Sequence, residues 1–134
     1  MTAVDTSVAV AALAGWHEAH EQARRTAAGA AIPAHARLET YSVLTRLPPP
    51  HRLDSDVVAE LVSRWFPPDA TLAPSARLTR SIVERCAGLG LAGGAVYDAL
   101  VGLTAAEAGE TLATRDERAA RTYELVDVAF QLLR

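Results

Sequence analysis

The chain has 134 residues, half of them hydrophobic but only 5% aromatic, and a formal net charge of −3. That length predicts a single domain over residues 1–134, burying about two thirds of the surface its unfolded form exposes, with an Ala, Val and Leu core and Trp16, Trp65, Phe66 and Phe130 as the few large fillers. The negative charge excludes a protein that holds nucleic acid by bulk positive potential, and because all thirteen basic residues are arginine, chemistry that needs a catalytic lysine is excluded too.

In chain order, Val4 closes a short apolar strand, and Thr6 to Leu13 reads as a helix that starts directly after Asp5. His17 to Ala28 is rich in strong helix formers and is stopped by Gly29. Ala30 to Ala34 is a second short strand, with Pro33 confined to its end. His35 to Leu47 is helical and ends at Pro48-Pro49-Pro50. Asp54 to Phe66 is a helix opened by Asp54-Ser55-Asp56, with Val57, Leu61, Val62 and Trp65 on its apolar face. Ala70 to Ala73 fits an edge strand. Pro74-Ser75 opens a helix to about Gly88, with Leu78, Ile82, Val83 and Cys86 spaced for burial. A helix from Ala95 to Ala108, a strand Thr111 to Thr114, a helix Asp116 to Leu125 and a strand Val126 to Leu133 complete the chain. Strands alternating with helices imply a parallel sheet covered on both faces, and in such sheets ligands bind beyond the carboxyl ends of the strands.

Cys86 is the only cysteine, so no intramolecular disulfide and no thiolate metal cluster can form; a reducing cytoplasm is the expected setting. The N-terminus carries no charged region followed by a long apolar run, as a signal peptide would. No stretch reaches the roughly 18 uninterrupted apolar residues of a membrane span.

Four acids sit where a strand ends or a helix begins: Asp5, Glu39, Asp98 and Asp116. Asp5 and Asp116 each follow a strand directly, Glu39 lies in the second turn of the helix after the second strand, and Asp98 lies early in the helix that feeds the fourth. All four can therefore meet at one sheet edge. Taken singly, Asp5 and Asp116 fit helix caps as well as ligands, and Glu39 fits a solvated helical charge. Asp98 differs, because Val96, Leu100, Val101 and Leu103 surround it and an ionised carboxylate among apolar groups needs compensation. An oxygen-only donor set favours Mg²⁺ or Mn²⁺ over zinc, and Thr6, Ser7 and Thr114 offer hydroxyls to orient ligands or simply to cap.

Other patterns are weaker. Gly88-Leu89-Gly90-Leu91-Ala92-Gly93 is a literal G-x-G-x-x-G, but it follows a helical pattern instead of a strand, so its glycines end one helix and turn into the next. His17 and His20 are spaced i,i+3 without a third ligand and read as solvated. Arg115 and Arg118 flank Asp116 and are the best-placed arginines for phosphate, unless Glu117 or Glu124 pairs with them.

The motifs Asp5-Thr6-Ser7 after the first strand, Glu39 in the helix after the second, Gly93-Gly94-x-x-Tyr97-Asp98-Ala99-Leu100 opening a later helix, and Leu112-Ala113-Thr114-Arg115-Asp116-Glu117-Arg118 after a strand resemble the PIN domain, specifically the small VapC-type toxins of bacterial toxin–antitoxin pairs. The resemblance implies a Rossmann-like α/β/α sandwich with a parallel sheet of four to five strands. It further implies a Mg²⁺- or Mn²⁺-dependent endoribonuclease in which Asp5, Glu39, Asp98 and Asp116 form the catalytic metal site, supported by Thr6, Ser7 or Thr114, and a metal-activated water cleaves RNA phosphodiesters. A cognate antitoxin and a homodimeric state belong to the same implication. Two other classes compete: a non-catalytic PIN-like interaction module that uses the acids only as caps, and a metal-dependent phosphatase, whose expected lysine and paired aspartates this chain lacks.

Overall fold

Five short strands alternate with seven helices along the chain, all 134 residues of which the computed structural model describes. Strand β1 (Thr2–Val4) leads into α1 (Thr6–Leu13) and α2 (His20–Ala27); β2 (Ile32–Pro33) into α3 (Ala34–Arg46) and α4 (Ser55–Trp65); β3 (Thr71–Leu72) into α5 (Ala76–Gly88) and α6 (Ala95–Glu107); and β4 (Thr111–Thr114) into α7 (Glu117–Leu125) and β5 (Phe130–Leu132). All pairings are parallel. β1, β4 and β5 are neighbours, as are β2 and β3. The Ala3–Ala31 bridge, with Val4 N–H donating to the Ala31 carbonyl at 2.9 Å, joins the two groups into the order β3-β2-β1-β4-β5.

That order has a chemical consequence. Right-handed crossovers that step outward from β1 through β2 to β3 place α1 to α4 on one face, and the steps back to β4 and on to β5 place α5 to α7 on the other. The strand order therefore reverses beside β1 and β4, the position where open α/β sheets carry their ligands.

The core is built from small side chains. Ala3, Val4, Ala9, Ala11, Ile32, Ala99, Leu112 and Ala113 are all buried, and so many alanines allow helices to lie close on both faces of a sheet whose strands are only two to four residues long. Gly102 marks the tightest approach: a Cβ there would stand 2.9 Å from Tyr123 Cδ1, so α6 can pack on α7 only without one. A smaller cluster of Leu13, Ala14, Leu44, Val58 and Val62 ties α1, α3 and α4 together.

Several expectations need correction. Val58, not Val57, points inward from α4, and Val83 on α5 is 72% exposed, because the helices rotate so that one residue of each apolar pair meets the core. Trp16 is no core filler: it is 50% exposed. The second helix begins at His20 instead of His17, since residues 14–19 form turns in which His17 N–H donates to the Ala14 carbonyl. The last strand is confined to Phe130–Leu132, because Asp127 takes φ 59° and breaks the extended run. Gly90 and Gly93, at φ 71° and 62°, form the turn between α5 and α6 as expected.

Candidate active site

Two matching turns build the floor of the site. Asp5 follows β1 and caps α1, its Oδ1 accepting from Ser7 N–H at 3.0 Å and Val8 N–H at 3.3 Å. Asp116 follows β4 and caps α7, its Oδ1 accepting from Arg118 N–H at 2.9 Å and Ala119 N–H at 3.3 Å. Ser7 staples the turns together: its hydroxyl donates to Asp5 Oδ1 at 2.6 Å and accepts from Arg115 N–H at 2.8 Å. Thr114, fully buried, accepts from Asp116 N–H at 3.1 Å and lies 3.4 Å from the Ser7 hydroxyl. The three hydroxyls singled out in the sequence thus have distinct duties, because the third, on Thr6, donates to Glu39 Oε1 at 2.6 Å and holds that side chain over the end of β1.

The helices bring the other two acids. Glu39 is in the second turn of α3 and Asp98 in the first turn of α6, where the positive end of the helix dipole favours a carboxylate. The rings of His35 and Tyr97 stack in parallel, with centroids 5.0 Å apart and planes 2° from coplanar, and hold the starts of α3 and α6 in register. A cavity of about 360 Å³ results. It is lined by all four acids together with Thr6, Ser7 and Arg115.

The electrostatics follow from this crowding. Burial, and then the charges of Asp116, Asp5 and Glu39, push the Asp98 carboxyl up to about 6, against a smaller opposing pull from Arg118. Asp5 is also raised, by burial, with hydrogen bonds from Ser7, Thr114, Tyr123 and Val8 working the other way. Glu39 and Asp116 each spend one oxygen on the donors described, and Asp5 spends both, its Oδ2 accepting from the Tyr123 hydroxyl. Asp98 spends none. No three carboxylates or imidazoles stand close enough to grip one ion together. The four carboxylates offer oxygen donors only, a set that fits a hard divalent cation held partly through its own waters.

Two cavity residues escaped the sequence reading. Tyr123 is buried and its hydroxyl donates to Asp5 Oδ2 at 2.8 Å; burial and the nearby Asp5 charge push its phenol far upward, so it stays protonated as a donor. It lies two helical turns beyond Asp116, on the same face of α7, and that spacing was a usable signal. His17 also lines the cavity, where burial and the Arg115 charge lower its pKa. The i,i+3 spacing to His20 was misleading, because the two are not on one helix: His20 Nδ1 instead bonds the Ala11 carbonyl at 2.9 Å.

Arg115 lines the cavity half-buried, and its Nε has no partner. Arg118 is exposed. Neither pairs with Glu117 or Glu124, since the one ion pair of the chain joins Arg64 to Glu60 on α4.

Comparison with known proteins agrees with this architecture. The PIN domain family model matches residues 2–125. Ribonuclease VapC40 of Mycobacterium tuberculosis is 48% identical over 138 aligned positions, spanning 99% of both chains. Ribonuclease VapC27 of the same organism is 48% identical over 131 positions, covering 94% of this chain and 92% of that one. The chain therefore belongs to the PIN-domain family and is of the VapC type.

Proposed function

We propose that this chain, read as one PIN domain over residues 1–134, is the endoribonuclease toxin of a toxin–antitoxin pair, acting in the cytoplasm with Mg²⁺ or Mn²⁺ bound among Asp5, Glu39, Asp98 and Asp116. The observation that carries the reading is the convergence of four carboxylates from the ends of β1 and β4 and the starts of α3 and α6 on one cavity. One of them, Asp98, has no donor and is pushed up to about 6 by burial and its neighbours. Acids crowded at that cost are explained by a cation that compensates them. The relatives named as ribonucleases, similar over almost their whole length, support RNA as the substrate.

The chain's own groups divide the work. Asp5, clamped by Ser7, Val8 and Tyr123, is the fixed reference of the site. Glu39 is aimed by Thr6. Asp98 retains both oxygens for ligands or their waters, and Asp116 retains Oδ2. When bound, the metal supplies Lewis acidity, lowering the pKa of a water nucleophile and offsetting charge on the leaving oxygen. Arg115 binds the phosphate beside the carboxylates; Arg118 meets the strand further out.

For partners, the reading implies an antitoxin that covers this cavity, and a homodimer. The apolar groove between α5 and α6, where Val83 and Tyr97 are exposed, is the surface we assign to the second copy. The direct test is cleavage of a labelled single-stranded RNA by the purified chain in Mg²⁺, in Mn²⁺ and in EDTA. Cleavage in at least one metal and none in EDTA is expected; no cleavage in either metal rejects the nuclease.

A further inference from the structure

Beside the carboxylate cavity lies a cluster of three rings, two of them exposed. Trp16, in the turn between α1 and α2, is 50% exposed. Its indole stacks on the His51 imidazole, from the loop after α3, with ring centroids 4.3 Å apart and planes at 29°. It is tilted against His17 at 5.7 Å. His17 is itself a wall of the cavity, next to Arg115. The rings of Trp16, His17 and His51 thus form a continuous path leading away from the four acids. His17 is also fixed in place: its Nδ1 accepts from Ala19 N–H at 3.0 Å, so the neutral ring carries its proton on Nε2.

An exposed tryptophan braced by a second ring, one residue from a site built for a phosphodiester, has the make-up of a base-stacking platform. Every nucleobase offers a π-face, and only an unpaired strand can present it. We infer that Trp16, braced by His51, is the residue that stacks a nucleobase next to the phosphate held at the carboxylate cavity; the inference rests on the ribonuclease reading above. His17 joins the two parts. A protein partner would also cover an exposed indole. The chain of rings that runs on from the cavity itself favours nucleic acid.

The test uses the chain carrying Asp98→Asn, assayed in EDTA so that cleavage is suppressed, and a fluorescein-labelled RNA offered as a single strand and as a duplex. Trp16→Ala should weaken single-strand binding by about tenfold or more, the loss expected for one stacked base. Trp16→Phe should recover most of that loss. The dependence of affinity on salt should be unchanged, because stacking releases no counterions. Circular dichroism and urea midpoints establish that both variants are folded. Equal single-strand affinity for Trp16→Ala and its parent overturns the platform. So does an equal loss for the duplex, and so does a variant that binds RNA normally but no longer binds the antitoxin. The two readings fail separately: a wild-type chain that cuts no RNA yet binds single strands through Trp16 rejects the nuclease alone, whereas a cutting enzyme indifferent to Trp16→Ala rejects the platform alone.

Discussion

The strand-end wall and the helix wall of the cavity hold the same chemical group in opposite ways. Asp5 and Asp116 are helix caps, each bonded to two backbone N–H groups, and Asp5 also takes the hydroxyls of Ser7 and Tyr123. Across from them, Glu39 has a single partner in Thr6, and Asp98 has none. The fold thus needs the first pair whether or not any chemistry takes place, while it bears Asp98 at a cost. A non-catalytic module would account for the caps. It would not account for Asp98, whose pKa is raised by burial and then by the three acids it faces.

This contrast is broken most decisively by comparing Asp5→Ala with Asp98→Asn. Both should reduce RNA cleavage by at least about 100-fold if the four acids act together. Their effects on stability should diverge. Asp5→Ala removes a cap worth about 1 kcal/mol and leaves the buried Tyr123 hydroxyl without its acceptor, a further cost of about 1–3 kcal/mol. Asp98→Asn removes a half-buried charge and its repulsion at the expense of a smaller attraction to Arg118, so urea denaturation in EDTA should find it as stable as the wild type or more so. A folded Asp98→Asn with normal cleavage ends the catalytic assignment; an unfolded one moves Asp98 to the structural wall.

Next in size is the response to metal. A cation that binds only the native state adds RT ln(1 + [L]/Kd), about 2.7 kcal/mol at 100 times Kd. Titrating Mg²⁺ or Mn²⁺ should raise the wild-type Tm and leave Asp98→Asn nearly unmoved. A wild-type Tm equally indifferent to Mg²⁺, Mn²⁺ and EDTA would mean that the helix wall answers to something other than a divalent ion.

The difference between the walls also explains how much could be read from the chain. Strand-end acids are marked by their position in the sequence, so Asp5 and Asp116 were visible once β1 and β4 were placed, and Asp98 was visible because its neighbours are apolar. Glu39 was placed only by the course of the helix after β2 toward the same edge, since taken alone a glutamate in mid-helix looks like any solvated charge. The duties of Tyr123 and His17 depend on long-range contacts: Tyr123 reaches Asp5 across 118 positions, and His17 owes its place to a turn that cut short the expected helix. Element order was legible because Gly and Pro punctuate it. Helix rotation was not, because Val57-Val58 and Ile82-Val83 are apolar pairs that only packing can break.

A smaller effect follows from protonation. Asp98 releases its proton near pH 6 in the native state, against 3.8 for an unperturbed aspartate. Between those values the native state binds more protons than the unfolded chain, so in EDTA stability should fall as pH rises from about 4 to 6 and then level off. Solvent around the half-buried group moderates the slope. Asp98→Asn should remove this part of the pH profile while leaving the rest, and identical profiles for the two proteins would show that Asp98 does not face its three neighbours as an uncompensated charge.

The smallest expected effect sharpens the comparison at its rim, where the acids give way to cations. Arg115 lines the cavity with an unpartnered Nε, whereas Arg118 is exposed and acts on Asp98 only through its charge. Removing one arginine–phosphate pairing should lower the dependence of log affinity on log salt by about one unit and weaken binding alike for all sequences. In an Asp98→Asn background, Arg115→Ala should lower the slope by about that unit. Arg118→Ala should do so only if the strand leaves the cavity over α7. If Arg118→Ala alone changes the slope, phosphate binding belongs to the outer surface, and the half-buried Arg115 then serves to balance the charge of the acids it lies among. If neither does, the RNA runs over the α1–α2 turn and away from β4 altogether.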